Sequence, residues 1–227
     1  MRSALADFRV DIDHVNKVVA WLTTPAALTT DMLPAARAIS CGCVVLLSGY
    51  FESFIKECMR GFITAVNGLG KPFNVLPYNM RCTHFDKGGK ALRGEIKRDR
   101  ENNDTANAEN MAERLRSVSA GTGYQLVWEA FADTQANPGP TVVKGLINVV
   151  GVQDPWRKIN AATTPPRGDL ETFLRIFIFI RNECAHTGSV ATPPTASVLT
   201  EYGENLVAIG EGVVMLLESR LGEIRAL

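Results

Sequence analysis

One long apolar stretch, residues 34–66, constrains the fold of this chain more than any other part of its sequence. Apolar residues recur along it at helical spacing, and the Asn67-Gly68 pair that follows is a typical helix end. Its longest uncharged run, residues 38–51, is too short to span a bilayer. We therefore predict a central core helix around which the rest of the chain packs.

Helical periodicity also dominates elsewhere, and strand patterns are scarce. Further helices are predicted over residues 11–22, 121–133, 142–150 and 197–221, with another that opens at Asp154-Pro155. No repeat or low-complexity linker divides the sequence. We therefore predict an all-α fold in one domain, residues 1–227.

Composition narrows the functional classes. The chain has 227 residues, 46% of them apolar, which is enough for a sizeable core, and its formal net charge is zero. The whole molecule therefore has no charge that would draw it to nucleic acid or to an anionic membrane, so an anionic partner must meet a local basic patch. The five cysteines include no Cys-x-x-Cys pair, and the first residues lack the apolar core of a signal peptide. We expect a cytoplasmic protein without a membrane span.

The best candidates for catalytic residues are the six from Arg181 to His186. They lie at the end of a strongly apolar helix that begins after Asp169. The turn at residues 176–180 is apolar on every side, which predicts that it is buried all round. Asn182 and His186 are four residues apart and share a stripe with Phe179, whereas Arg181 falls about 140° from His186 on a regular helix. For the two side chains to act together, either the long side chain of Arg181 extends around the helix toward His186, or the last turn of the helix is distorted.

This trio suits metal-free cleavage of RNA. A histidine exchanges protons near neutral pH, and an arginine stabilises charge that develops on a phosphoryl oxygen. The reaction needs one base for the ribose 2′-hydroxyl and one acid for the departing 5′-oxygen, yet the motif has a single histidine. A two-fold dimer that brings two such helix ends together supplies both groups.

The motif Arg-Asn-x-x-Ala-His at the end of an apolar helix resembles the Arg-polar-x(3)-His signature of the HEPN superfamily, which includes dimeric ribonucleases of toxin–antitoxin and antiphage-defence systems. Two other segments, residues 46–55 and 148–156, are similar to the MAE-type and RiboL-PSP-type branch of that superfamily. The resemblance covers roughly residues 34–220 in order, with the signature region at residues 169–190. It implies a HEPN-type helical bundle with additional helices.

Carried over by position, the resemblance makes Arg181 and His186 the catalytic pair and Asn182 the variable polar residue. It implies a metal-independent, homodimeric endoribonuclease that needs no cofactor, leaves a 2′,3′-cyclic phosphate and acts as a toxin or defence effector. Glu52, on the neighbouring helix, is expected to orient Arg181 through a charge-assisted pair. The candidate RNA-phosphate track consists of Lys87, Lys90, Arg93 and Lys97.

Other interpretations stay open at this point. Cations at a helix C-terminus favour the helix dipole without any catalytic role, and a basic run is commonly a solvated face. Glu52 is equally suited to a structural ion pair. Cys41, Cys43, Cys82 and His84 lack the spacing of a zinc module, which favours core cysteines. A HEPN domain can also serve as a non-catalytic scaffold, or as an antitoxin-like regulatory partner of another protein.

Overall fold

A computed structural model of the chain describes residues 1–120, 123–135, 137–188 and 190–227, with the side chain of residue 120 left out. These residues form helices and connecting loops and contain no strand, which confirms the all-α prediction. The helices are α1 (Arg2–Trp21), α2 (Leu33–Asn67), α3 (Tyr78–Asn102), α4 (Ala106–Ser117), α5 (Pro140–Val149), α6 (Pro155–Ala162), α7 (Leu170–Thr187) and α8 (Ala196–Ala226).

Helix α2 is the predicted core helix, and it packs against α1, α7 and α8. Val44, Leu47, Phe51 and Phe62 on α2 are fully buried. By length and mean hydropathy alone, the segment Thr30–Asn67 would be apolar enough to cross a membrane, but half of its most apolar window is buried inside the fold. Burial of this kind is ordinary for the core helix of a folded domain.

Helix α8 lies close to α6 and α1 at two of its glycines. A Cβ atom at Gly212 would lie 2.8 Å from Cγ2 of Ile159 on α6, and one at Gly203 would lie 2.9 Å from Cγ2 of Ile12 on α1. Larger side chains would push these helices apart. Helix α1 begins at Arg2, well before the predicted start at residue 11, and Arg2 and Arg9 pair with glutamates of α8.

The helix predicted over residues 121–133 does not form. Residues 121 and 122 lie outside the described part, and the remainder is an irregular segment with one 3-10 turn, Trp128–Ala130. Side chains from other helices take its backbone groups: Asn67 Oδ1 accepts the Leu126 N–H at 2.8 Å, and His84 Nδ1 accepts the Val127 N–H at 3.2 Å. These bonds replace the intrahelical bonds that the local pattern favours.

Candidate active site

Helix α7 carries the signature, and both of its ends are defined by local chemistry. Asp169 caps the first turn, as predicted, because its Oδ1 atom accepts the Glu171 N–H at 3.1 Å. The last turn closes at Gly188, which has a φ of 67° and donates its N–H to the Cys184 carbonyl at 3.0 Å. The helix therefore stays regular through the whole signature and ends one residue after His186.

Because α7 is regular, its last turn is not distorted to bring Arg181 toward His186. Arg181 and His186 leave the helix about 140° apart around its axis. The Arg181 side chain is half-buried, whereas His186 is exposed. Within one chain, the two signature residues therefore point to different sides of α7.

Asn182 connects Arg181 to a loop of the irregular segment. Its Oδ1 atom accepts one hydrogen bond from Arg181 Nη1 at 3.1 Å and a second from Asn137 Nδ2 at 3.2 Å. Sequence reasoning missed Asn137, because this residue precedes Pro138, Gly139 and Pro140, a group typical of a helix break. A polar residue among turn formers was the single available signal, and it did not identify the partner.

Glu52 lies near Arg181 but does not form the predicted charge-assisted hydrogen bond with it. Its Oε1 atom accepts hydrogen bonds from Lys56 at 2.6 Å and from Thr134 at 2.7 Å. Burial alone would raise the pKa of Glu52, but these hydrogen bonds and the charges of Lys56 and Arg181 outweigh it and lower the pKa. The Glu52 carboxylate therefore acts on Arg181 through its charge, while its Oε1 atom bonds to Lys56 and Thr134.

Two polar atoms at this site are buried without a hydrogen-bond partner in the described part of the chain. They are Nε of Arg181 and Oδ1 of Asn137. Buried polar groups are normally paired, so an unpaired guanidinium N–H has capacity to bind an oxygen atom that the isolated chain does not supply. A phosphate oxygen is a strong acceptor for such a donor.

Two large apolar side chains lie on the same side of α7 as His186. Ile176 is 53% exposed and Phe179 is 63% exposed. The prediction that this turn is buried on every side is therefore wrong. Phe177 faces the core and is fully buried, whereas Ile176 and Phe179 on the other side remain largely exposed. A single copy of the chain leaves this apolar surface next to the imidazole in contact with water.

The predicted phosphate track on α3 is divided into two parts. Lys87 is half-buried, and Lys90 donates to Asp133 at 3.1 Å, so both belong to a charged pocket with Glu52 and Thr134. Arg93 and Lys97 are exposed further along the helix.

The cysteine thiols differ in burial and in pKa. The pKa of Cys184 is raised to about 12 by burial and by the neighbouring thiol of Cys41, which makes a thiolate nucleophile at this position unfavourable. Cys41 and Cys43 are buried, whereas Cys82 is exposed. The described residues include no group of three or more His, Cys, Asp or Glu side chains with metal-binding geometry.

An all-α fold in which an Arg-polar-x(3)-His signature closes an apolar helix defines a protein of the HEPN class. The sequence profile of the RiboL-PSP-HEPN family matches residues 26–216, most of the chain, and the protein belongs to that family. HEPN domains are generally ribonucleases or nucleotide-related proteins. No curated protein and no solved structure matches the chain significantly.

Proposed function

We propose that this protein is a metal-independent endoribonuclease whose active site is completed by a second copy of the chain. The observation that carries the proposal is the position of His186 on the same exposed side of α7 as Ile176 and Phe179. Membership of a HEPN family supports the ribonuclease class, and this surface supports the dimer.

A two-fold dimer through this surface would bury Ile176 and Phe179 against their copies, because a two-fold interface uses the same patch on both partners. The same contact brings two histidines near the dimer axis. Arg181 leaves each helix about 140° from His186, and Asn182 holds its Nη1 atom at 3.1 Å from Oδ1. The two imidazoles then flank one phosphate, and each Arg181 side chain extends around its helix toward the same phosphate.

The proposed reaction requires no metal ion. One imidazole removes the proton of the ribose 2′-hydroxyl, and the 2′-oxygen forms a bond to the adjacent phosphorus. The bond between phosphorus and the 5′-oxygen breaks, and the second imidazole, in its protonated form, gives its proton to that oxygen. The arginines stabilise the negative charge on the phosphoryl oxygens. The products are a 2′,3′-cyclic phosphate and a free 5′-hydroxyl.

The test is cleavage of a labelled RNA in excess chelator. We expect Arg181→Ala and His186→Ala to lower the rate by at least about a hundredfold. The matched control is Arg157→Ala, which removes an exposed arginine of α6 that lies outside the proposed interface. A substrate with a single 2′-deoxy ribose at the scissile position should resist cleavage there. Equal activity in the two signature variants would refute the proposal.

A scaffold function makes the opposite prediction from the same preparation. The wild-type chain would then dimerise through α7 and leave every RNA tested intact, and the signature variants would alter assembly alone. Measuring cleavage and molecular mass on the same samples separates the two functions.

For the biological role, we propose a toxin or antiphage-defence effector that acts in the cytoplasm, held silent by a partner protein. The resemblance to HEPN toxins supports the role, and five unpaired cysteines suit a reducing compartment. Induced expression in a bacterial host should arrest growth, and His186→Ala should abolish the arrest. Normal growth with full expression of active enzyme would contradict a toxin role.

A further inference from the structure

Helix α3 carries a stripe that joins two aromatic rings to three cations and is exposed except at half-buried Gly89. Six positions of this helix fall within about 80° of one another around its axis, namely 78, 82, 85, 89, 93 and 100. Position 97 lies at the edge of this sector. We define the α3 stripe by these residues: Tyr78, Cys82, Phe85, Gly89, Arg93, Lys97 and Arg100. The stripe is about 33 Å long, at about 1.5 Å per residue.

The aromatic end of the stripe is exposed yet held in place. Tyr78 is 71% exposed and Phe85 is 52% exposed. Phe73 contacts Phe85 edge-on, with ring centroids 5.9 Å apart, and the Arg81 guanidinium lies 5.8 Å from the centroid of the Tyr78 ring. Two partly fixed rings are therefore available to a ligand with flat faces.

The basic end of the stripe is not neutralised. Arg93, Lys97 and Arg100 are exposed and form no ion pair with any described residue. Arg98 on the same helix, by contrast, pairs with Glu95 at 2.8 Å. A shallow groove of about 570 Å³ runs beside the three free cations. This end of the helix is thus suited to an anionic partner.

We propose that the α3 stripe binds single-stranded RNA, with unpaired bases stacked on Tyr78 and Phe85 and phosphates on Arg93, Lys97 and Arg100. The inference deepens the proposed ribonuclease function and rests on it for the choice of RNA. Stacking platforms combined with a basic track are the usual means of binding single strands. In a duplex the base faces are covered, so the aromatic end would have no ligand.

The stripe is connected to the candidate active site through the irregular segment before α5. Lys90 of α3 bonds to Asp133 at 3.1 Å, and Asn137 of the same segment bonds to Asn182 of α7 at 3.2 Å. An RNA strand on α3 would therefore bind to a helix that contacts the same irregular segment as the signature helix α7.

The test measures RNA binding without cleavage. The parent is the full chain with His186→Ala, and the probe is a fluorescein-labelled single-stranded RNA followed by anisotropy. We expect Tyr78→Ala with Phe85→Ala to weaken binding about tenfold or more, in line with the loss of base stacking. The double variant Arg93→Gln/Arg100→Gln should have a shallower salt dependence. The slope of the logarithm of the binding constant against the logarithm of the salt concentration should fall in magnitude by about 1.4, at about 0.7 for each phosphate contact. The control is Arg157→Gln on α6, an exposed arginine with no ion pair among the described residues, and it should change neither quantity.

Each outcome decides the proposal. Unchanged affinity in both stripe variants, or equally tight binding of a duplex of the same sequence, would overturn it, and the aromatic end would then be a surface for another protein. If the stripe binds single strands while the wild-type chain cuts no RNA, the proposed nuclease function fails and the binding surface stands. If the wild-type chain cuts RNA and the stripe variants bind normally, only this inference fails.

Discussion

Asn137 donates its amide hydrogen to Oδ1 of Asn182 at 3.2 Å, across 45 residues of sequence. The same oxygen accepts from Arg181 Nη1 at 3.1 Å. The direction of the signature guanidinium therefore depends on a loop residue outside the signature. Asn182 is thus a positioning residue that links the loop to the arginine, and its polar character follows from its function as an acceptor for two donors.

The first prediction concerns this double acceptor. Asn182→Asp retains an oxygen for both donors and should keep RNA cleavage within about threefold of wild type, whereas Asn182→Leu removes the acceptor and should lower kcat about tenfold or more, because small displacements of a catalytic group are costly. Asn137→Ala should lower kcat in the same direction with little change in KM. Equal kcat in the Asp and Leu variants would show that the acceptor does not position Arg181.

The second prediction concerns the exposed side of α7. Phe179→Asp places a charge in the proposed two-fold interface and should shift the protein from dimer to monomer in sedimentation equilibrium, with loss of cleavage. Leu28→Asp is the matched control, because Leu28 and Phe179 have the same exposed fraction of 63%. If Phe179→Asp stays dimeric and active, the subunits pair through a different surface.

The third prediction concerns pH and stability. Burial and the charge of Arg114 lower the pKa of His84 to about 4. An unfolded histidine has a pKa of about 6.5, so between pH 6.5 and 4 the unfolded chain binds a proton that the folded chain does not. The free energy of unfolding should therefore fall as the pH is lowered through this window, by up to about 3 kcal/mol. His84→Asn should remove this part of the slope in urea titrations at several pH values. An identical slope in both proteins would exclude His84 as its source.

The fourth prediction concerns the turn between α3 and α4. Asp99 is buried, and its Oδ2 atom accepts the Ala108 N–H at 2.7 Å while Oδ1 accepts from Asn107 Nδ2 at 2.8 Å. Asp99→Ala leaves a backbone donor at the start of α4 without its partner and should cost about 1–2 kcal/mol of unfolding free energy. Glu101→Ala, an exposed neighbour, should change stability by less than about 0.5 kcal/mol. Comparable losses in the two variants would contradict a capping function for Asp99.

Some features that depend on residues close in sequence were predicted correctly. The start of α7 after Asp169 follows from capping chemistry within one turn, and the helix ends beside the signature as expected. The core position of α2 follows from its own apolar periodicity. Residues 123–133 show the limit of this reasoning, because Asn67 and His84, both distant in sequence, take the backbone groups that a helix would have used.

The sequence alone thus determined the all-α class, the central helix and the signature at the end of α7, since periodicity and capping are local properties. Only the tertiary structure decided that Ile176 and Phe179 face outward beside His186, that Glu52 bonds to Thr134, and that Asn137 reaches Asn182. Each of these relations depends on which segments become neighbours when the core forms. A helical pattern shows that a face is apolar, but the packing of the other helices decides whether that face is covered.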